Sequence, residues 1–114
     1  MIVIDKEAPL VTVIVRFLVT PAHQAQLLAL TGELMAPLMG QQPGFISSSF
    51  HRSRDGTQVV NYAQWRSLGD YEAFGREPSV QAPVGRIRDF MRSAGIRTES
   101  QVFDISFSIE NNAP

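Results

Sequence analysis

Three observations predict an α+β fold for this chain. Runs rich in β-branched and aromatic residues recur at four places. The longer stretches between them carry apolar residues at three- and four-residue spacing. The pair Asp55-Gly56 joins two of the strand patterns, a strong short-range hairpin signal. The resulting order is strand, helix, strand, strand, helices, strand. That is the ferredoxin-like βαββαβ plan, an antiparallel four-stranded sheet with helices on one face. The 114 residues suit a single domain spanning 1–114, with its core over 10–109.

Residues 10–20 are almost continuously apolar and β-branched, so both faces of the first strand are expected to be covered. Thr20 followed by Pro21 reads as a helix cap with proline at the first helical position. Leu27, Leu28, Leu30, Leu34, Met35 and Leu38 supply the buried stripe, and Pro37 and Gly40 end the helix near Gly40. Pro43-Gly44 is a turn. Strands are expected over 45–53 and 57–66. A two-residue loop at Asp55 and Gly56 sets Asn61 opposite Phe50, Ala63 opposite Ser48 and Trp65 opposite Ile46. A change of one residue in loop length would bring His51 beside Asn61, and the first register is preferred.

Ser67 caps a short helix through Gly69, Asp70, Tyr71, Glu72, Ala73 and Phe74. Residues 78–95 form a second helical stretch on Val80, Val84, Ile87, Met91 and Ala94, with Pro83 blurring its start. Residues 99–109 read as a final strand with Phe103, Ile105, Phe107 and Ile109 on one face, followed by a loose tail. Helices cover only one face of such a sheet, yet the first strand is apolar on both. A second copy's sheet is the economical cover, so a homodimer is expected.

Composition excludes several function classes. The net charge of −1, with no run of Lys or Arg, gives no electrostatic basis for binding nucleic acid or an anionic membrane. With no cysteine there are no disulfides, thiolate nucleophiles or zinc-thiolate sites. Asp5, Lys6 and Glu7 near the N-terminus argue against a signal peptide, and no apolar run approaches the ~20 residues of a membrane span. A cytoplasmic location is expected. His23 and His51 lie on different elements and make no metal site. His23, in the first helical turn, is expected to be exposed, and in the preferred register His51 points away from Asn61.

The most unusual segment is the strand carrying Asn61 and Trp65. Alternation places Val59, Asn61, Ala63 and Trp65 on one face: an amide, a one-carbon floor and the chain's only tryptophan. Such a face suits either a core with a locally bonded amide or a polar-tipped aromatic cavity. Asn61 and Trp65 are ~13 Å apart at about 3.3 Å per residue, so they can hold opposite ends of an extended ligand.

The segment from Asp55 to Ser67, with Tyr71 after it and Pro43-Gly44-Phe45 before it, resembles the antibiotic biosynthesis monooxygenase family, in the branch that oxidises polycyclic aromatic polyketides in actinorhodin-type pathways. The likeness covers residues 10–80 well and the last third loosely. It implies a dimeric α+β barrel with its cavity between sheet and helices. It also implies oxidation of a phenolic or anthrone-like aromatic to a quinone, with molecular oxygen as co-substrate and no metal, flavin or haem. Carried over to this chain, Asn61 binds or polarises the substrate oxygen, Trp65 packs on the rings and offers its indole N–H, and Tyr71 lines the cavity. Phe50, Ile46 and Ala63 complete the substrate-binding set. Arg86, with Arg88 as the alternative, meets substrate anion. By the same resemblance, Phe50 stands where members of that branch carry tyrosine. The haem-degrading branch needs a histidine on the helices after the tryptophan, and residues 67–95 contain none. Competing readings are an isomerase, cyclase or decarboxylase on the same fold, or a dimer that only binds a small aromatic.

Overall fold

The computed structural model describes residues 10–112. Asp5, Lys6 and Glu7, which carry the signal-peptide argument, lie outside them. The elements are β1 (Val11–Leu18), α1 (Pro21–Met39), β2 (Phe45–Arg52), β3 (Gln58–Trp65), α2 (Leu68–Arg76), α3 (Pro78–Ala94) and β4 (Arg97–Asp104). One antiparallel sheet holds all four strands in the order β2-β3-β1-β4, the ferredoxin-like arrangement.

Local chemistry accounts for most element ends. Thr20 is extended and Pro21 opens α1, as the sequence predicts, although the Thr20 hydroxyl meets His23 Nδ1 at 3.2 Å rather than capping a backbone N–H. His23 is half-buried rather than exposed, because its ring lies edge-on to Phe90. Ser67 caps α2 by accepting from Asp70 N at 3.1 Å. Glu77 caps α3, and Gly95 closes it at φ +69, where only glycine is free of strain.

The β2–β3 hairpin keeps the preferred register: Phe50 faces Asn61 and Ser48 faces Ala63. Its connection is wider than two residues. Ser53 N donates to Gln58 O, and Gly56 N donates back to Ser53 O, so residues 54–57 form the loop. Asp55 organises it, its Oδ1 accepting from Thr57 N at 3.0 Å, Thr57 Oγ1 at 2.7 Å and Ser53 Oγ at 2.8 Å. These donors, the Thr57 hydroxyl first, hold the Asp55 carboxyl below its ordinary value. Gln24 of α1 then donates to Ser53 O and Gln58 O, tying hairpin to helix.

Two further expectations fail for identifiable reasons. Trp65 faces Phe45, not Ile46, because an irregularity between Phe45 and Ser47 inserts Ile46 as an extra residue. The last strand stops at Asp104 instead of continuing to Ile109. Its partner is β1, and pairing ends where Val11 meets Asp104. Beyond it, Phe107 and Ile109 stay exposed, at 68% and 87%.

The helices cover the sheet face that carries Val11, Val13, Val15 and Phe17, and the core there divides in two. One part gathers Val11, Val13, Ala63 and Trp65 with Phe45, Tyr71 and Phe74. The other gathers Leu27, Val59 and Ile87 with Phe17, Met35, Phe90 and Met91. Among the described residues no helix is long and apolar enough to cross a membrane.

Candidate active site

Between these two parts of the core lies a cavity of about 450 Å³, within the usual size of small-molecule sites. Strand pairing shows why it exists. Across the sheet, the Asn61 rung reads Phe50, Asn61, Val15, Ser100, and the next reads Ser48, Ala63, Val13, Val102. An amide, a methyl group and two hydroxymethyl groups stand where bulky side chains would otherwise meet α1 and α3. Val59 on one side and Trp65 on the other are fully buried.

The aromatic wall is built around Trp65. Phe45 packs on it at a ring-centroid distance of 5.3 Å and 71°, Tyr71 at 5.7 Å and 58°, and Phe74 at 5.2 Å and 37°. Tyr71 and Phe74 are three apart on α2, so one helix face delivers both. The indole N–H has no hydrogen-bond partner among the described residues. Met35 and Met39 roof the cavity from α1, with Thr31 one turn earlier. Thr31 is buried, and its hydroxyl has no partner among the described residues.

The polar centre is Asn61. The Ser48 hydroxyl donates to Asn61 Oδ1 at 2.5 Å. Asn61 Nδ2 makes no hydrogen bond among the described residues, and Asn61 and Ser48 both line the cavity. The amide therefore presents a donor to an apolar space, an arrangement suited to holding an oxygen that carries or develops negative charge. Arg88, Thr98 and Ser100 line the cavity and are exposed, so it opens to solvent beside β4.

Of the residues expected at the site, Asn61, Trp65, Tyr71, Phe50 and Ala63 line this one cavity. Ile46 does not, being the inserted residue of the β2 irregularity. Arg86 does not either, and it is exposed. On α3 the cavity takes Val84, Ile87, Arg88 and Met91, spaced i, i+3, i+4, i+7, and Arg86 falls off that stripe. His51 is exposed and pairs with Val60 on the other sheet face, away from Asn61. Ser48 and Thr31 were not anticipated as site residues. Ser48 was legible from the register, which puts it diagonal to Asn61. Thr31 was legible as the hydroxyl in the otherwise apolar i, i+4 series Leu27, Thr31, Met35, Met39.

The family model described as antibiotic biosynthesis monooxygenase matches residues 10–85. The chain belongs to the antibiotic biosynthesis monooxygenase family. It is 38% identical over 99 residues to tetracenomycin F1 monooxygenase of Streptomyces glaucescens, covering 87% of this chain and 88% of that one. Among solved structures it is similar to the ActVA-Orf6 monooxygenase of Streptomyces coelicolor in complex with nanaomycin D, with a TM-score of 0.75 and 28% identity over 95% of this chain and 96% of that one. It also shares its fold with SnoaB of Streptomyces nogalater, a cofactor-independent oxygenase, at a TM-score of 0.69 and 22% identity over 91% of this chain and all of that one. The matched residues include the whole of β3, with Asn61, Ala63 and Trp65, as well as Ser48 and Tyr71, whereas Ile87, Arg88 and Ser100 lie beyond them.

Proposed function

We propose that this member of the family is a cofactor-independent monooxygenase that oxidises a phenolic or anthrone-like polycycle to a quinone with O₂. One observation carries the reading: a free Asn61 amide donor stands in an apolar cavity walled by Trp65, Tyr71 and Phe74. Independence from a cofactor is the property by which SnoaB is described. Aromatic polyketide substrates are suggested by tetracenomycin F1 monooxygenase and by the nanaomycin D complex of ActVA-Orf6.

In this reading the flat ring system lies against Trp65 and its oxygen accepts from Asn61 Nδ2. That contact stabilises the phenolate or enolate more than the neutral form and so promotes deprotonation. The carbanion-like carbon passes one electron to O₂, the radical pair combines to a hydroperoxide, and loss of water leaves the carbonyl. For an anthrone methylene the balance is R₂CH₂ + O₂ → R₂C=O + H₂O. Arg88, at the mouth, attracts the anionic substrate. Tyr71 holds the Trp65 plane.

The outer sheet face supports a homodimer. It presents Ile14, Tyr62 and Phe103, the last 45% exposed, and Phe107 and Ile109 beyond the end of β4 are exposed too. A second sheet would cover this apolar surface. Light scattering should give twice the chain mass.

The test of activity is oxygen uptake with an anthrone and dihydroxynaphthalene panel, aerobic against anaerobic, in the presence of a metal chelator. The expected result is one O₂ consumed per quinone formed, with ¹⁸O from labelled O₂ in the new carbonyl. Turnover of the panel without oxygen would instead select the isomerase, cyclase or decarboxylase reading.

A further inference from the structure

Asn61 can serve as an oxyanion donor only if its amide faces the right way. A primary amide turned by 180° presents a carbonyl oxygen, which repels an oxyanion. Asn61 lies on β3, half-buried, and α1 and α3 line the cavity with mainly apolar side chains. What meets the amide is Ser48. On β2, Ser48 pairs directly with Ala63, one rung from the Phe50 and Asn61 pair. The two side chains are diagonal neighbours on the same hairpin face. Ala63 projects only a methyl group, so the path from Ser48 to Asn61 stays open. The Ser48 hydroxyl reaches Asn61 Oδ1 at 2.5 Å, while Nδ2 remains unbonded among the described residues.

We propose that Ser48 is a positioning residue for the site: its hydroxyl holds the Asn61 amide by Oδ1 while Nδ2 serves the ligand, and strengthens that N–H as a donor. The assignment rests on the proposed reading of Asn61 as the oxygen-binding group. Two physical effects follow. A hydroxyl can bond either end of an amide, so the anionic oxygen selects Nδ2 and the Ser48 hydroxyl, donating to Oδ1, completes and holds that arrangement. The same hydrogen bond also draws electron density toward Oδ1, which polarises the opposite N–H in the cooperative manner of linked hydrogen bonds.

The decisive experiment is a double-mutant cycle of Ser48→Ala and Asn61→Ala, read with 1,8-dihydroxyanthraquinone, a phenol stable to oxygen. Trp65, the chain's only tryptophan and part of the cavity wall, reports binding by fluorescence quenching. Absorbance titration under anaerobic conditions gives the pKa of the bound phenol. The wild-type protein should lower that pKa, and Ser48→Ala should raise it by about half a unit to one unit. With an oxidisable anthrone, Ser48→Ala should lower kcat about five- to tenfold and leave KM nearly unchanged. In the Asn61→Ala background, Ser48→Ala should have no further effect on either readout. Ser48→Thr, which keeps the hydroxyl, should restore most of both.

The assignment is overturned if the wild-type protein leaves the phenol's pKa where it is in water. It also fails if the Ser48→Ala effect persists without Asn61, since Ser48 would then act on the ligand itself. Failure of threonine to restore the effect has the same meaning. A pKa shift that depends jointly on Ser48 and Asn61, with no oxygen uptake from any anthrone, would remove the oxygenase reading and leave the Ser48 assignment standing.

Discussion

The two parts of the core lie on one sheet face and differ in what they leave open. Around Leu27, Val59 and Ile87 the packing is mainly aliphatic, joined by Phe17 and Phe90, and it is closed at Leu27 and Val59, 1% and 0% exposed. Around Trp65 the packing is aromatic, and rings set at 37° to 71° to the indole form a wall. Between them the strands carry Asn61, Ala63, Ser48 and Ser100, too small to meet the helices. The cavity is therefore an interruption of a continuous core. Stability should depend most on the closed end and ligand chemistry on the middle.

The largest effect separates these roles. Leu27→Ala should cost about 2–5 kcal/mol in chemical denaturation, because it empties a filled site one turn from Thr31 on α1. Ligand affinity of the folded fraction should change little. If affinity falls in step with stability, the two regions are not separable. Asn61→Ala is the converse. It should leave the denaturation midpoint nearly unchanged and reduce oxygen-dependent turnover ~10²–10³-fold, the usual loss for a single oxyanion donor.

Ala63→Val narrows the middle from its Trp65 end. Overpacking a cavity floor should weaken binding of a polycycle by about 1–3 kcal/mol in Trp65 fluorescence titrations. Arginine choice gives a smaller contrast. Arg88→Ala should weaken binding of an anionic polycycle by ~0.2–1 kcal/mol, as expected for an exposed charge, with the loss shrinking in high salt. Arg86→Ala should do nothing in the same titration.

The smallest effect lies at the hairpin tip. The Asp55 carboxyl is held below its ordinary value of 3.8 by its hydrogen bonds to Thr57 and Ser53. A lowered folded-state value means the ionised form stabilises the fold above pH 3.8, and that support disappears as pH falls through the folded-state value. Asp55→Ala should therefore melt slightly below wild type at pH 7, with the two curves converging as pH falls through the carboxyl's folded-state value. A gap that stays constant with pH would show that the carboxylate charge is not the cause.

Much of this architecture was legible because strands and helices announce themselves through local periodicity. Asp55-Gly56 marked the centre of the hairpin; because the loop widens symmetrically to residues 54–57, Phe50 faces Asn61 as a two-residue loop would also have it. The choice between the two arginines was legible as well. Val84, Ile87 and Met91 already define a helical stripe, and Arg88 falls on it whereas Arg86 does not. The irregularity at Ile46 left no such trace. A bulge is a response to strand twist and neighbouring packing, and Phe45-Ile46-Ser47 reads as ordinary alternation. The end of β4 was equally invisible locally, because Ile105, Phe107 and Ile109 alternate as well as Phe103 does.

The sequence by itself determined the element order, the centre of the hairpin, the family likeness and the pairing of an amide with an indole on one strand face. These depend on side-chain period and turn chemistry within a few residues. Tertiary structure alone decided that Tyr71, Phe74 and Arg88 converge on that face from two helices. It decided too that the Ser48 hydroxyl engages Asn61 Oδ1 and leaves Nδ2 free. Such contacts depend on distances between elements, and no local pattern encodes a distance.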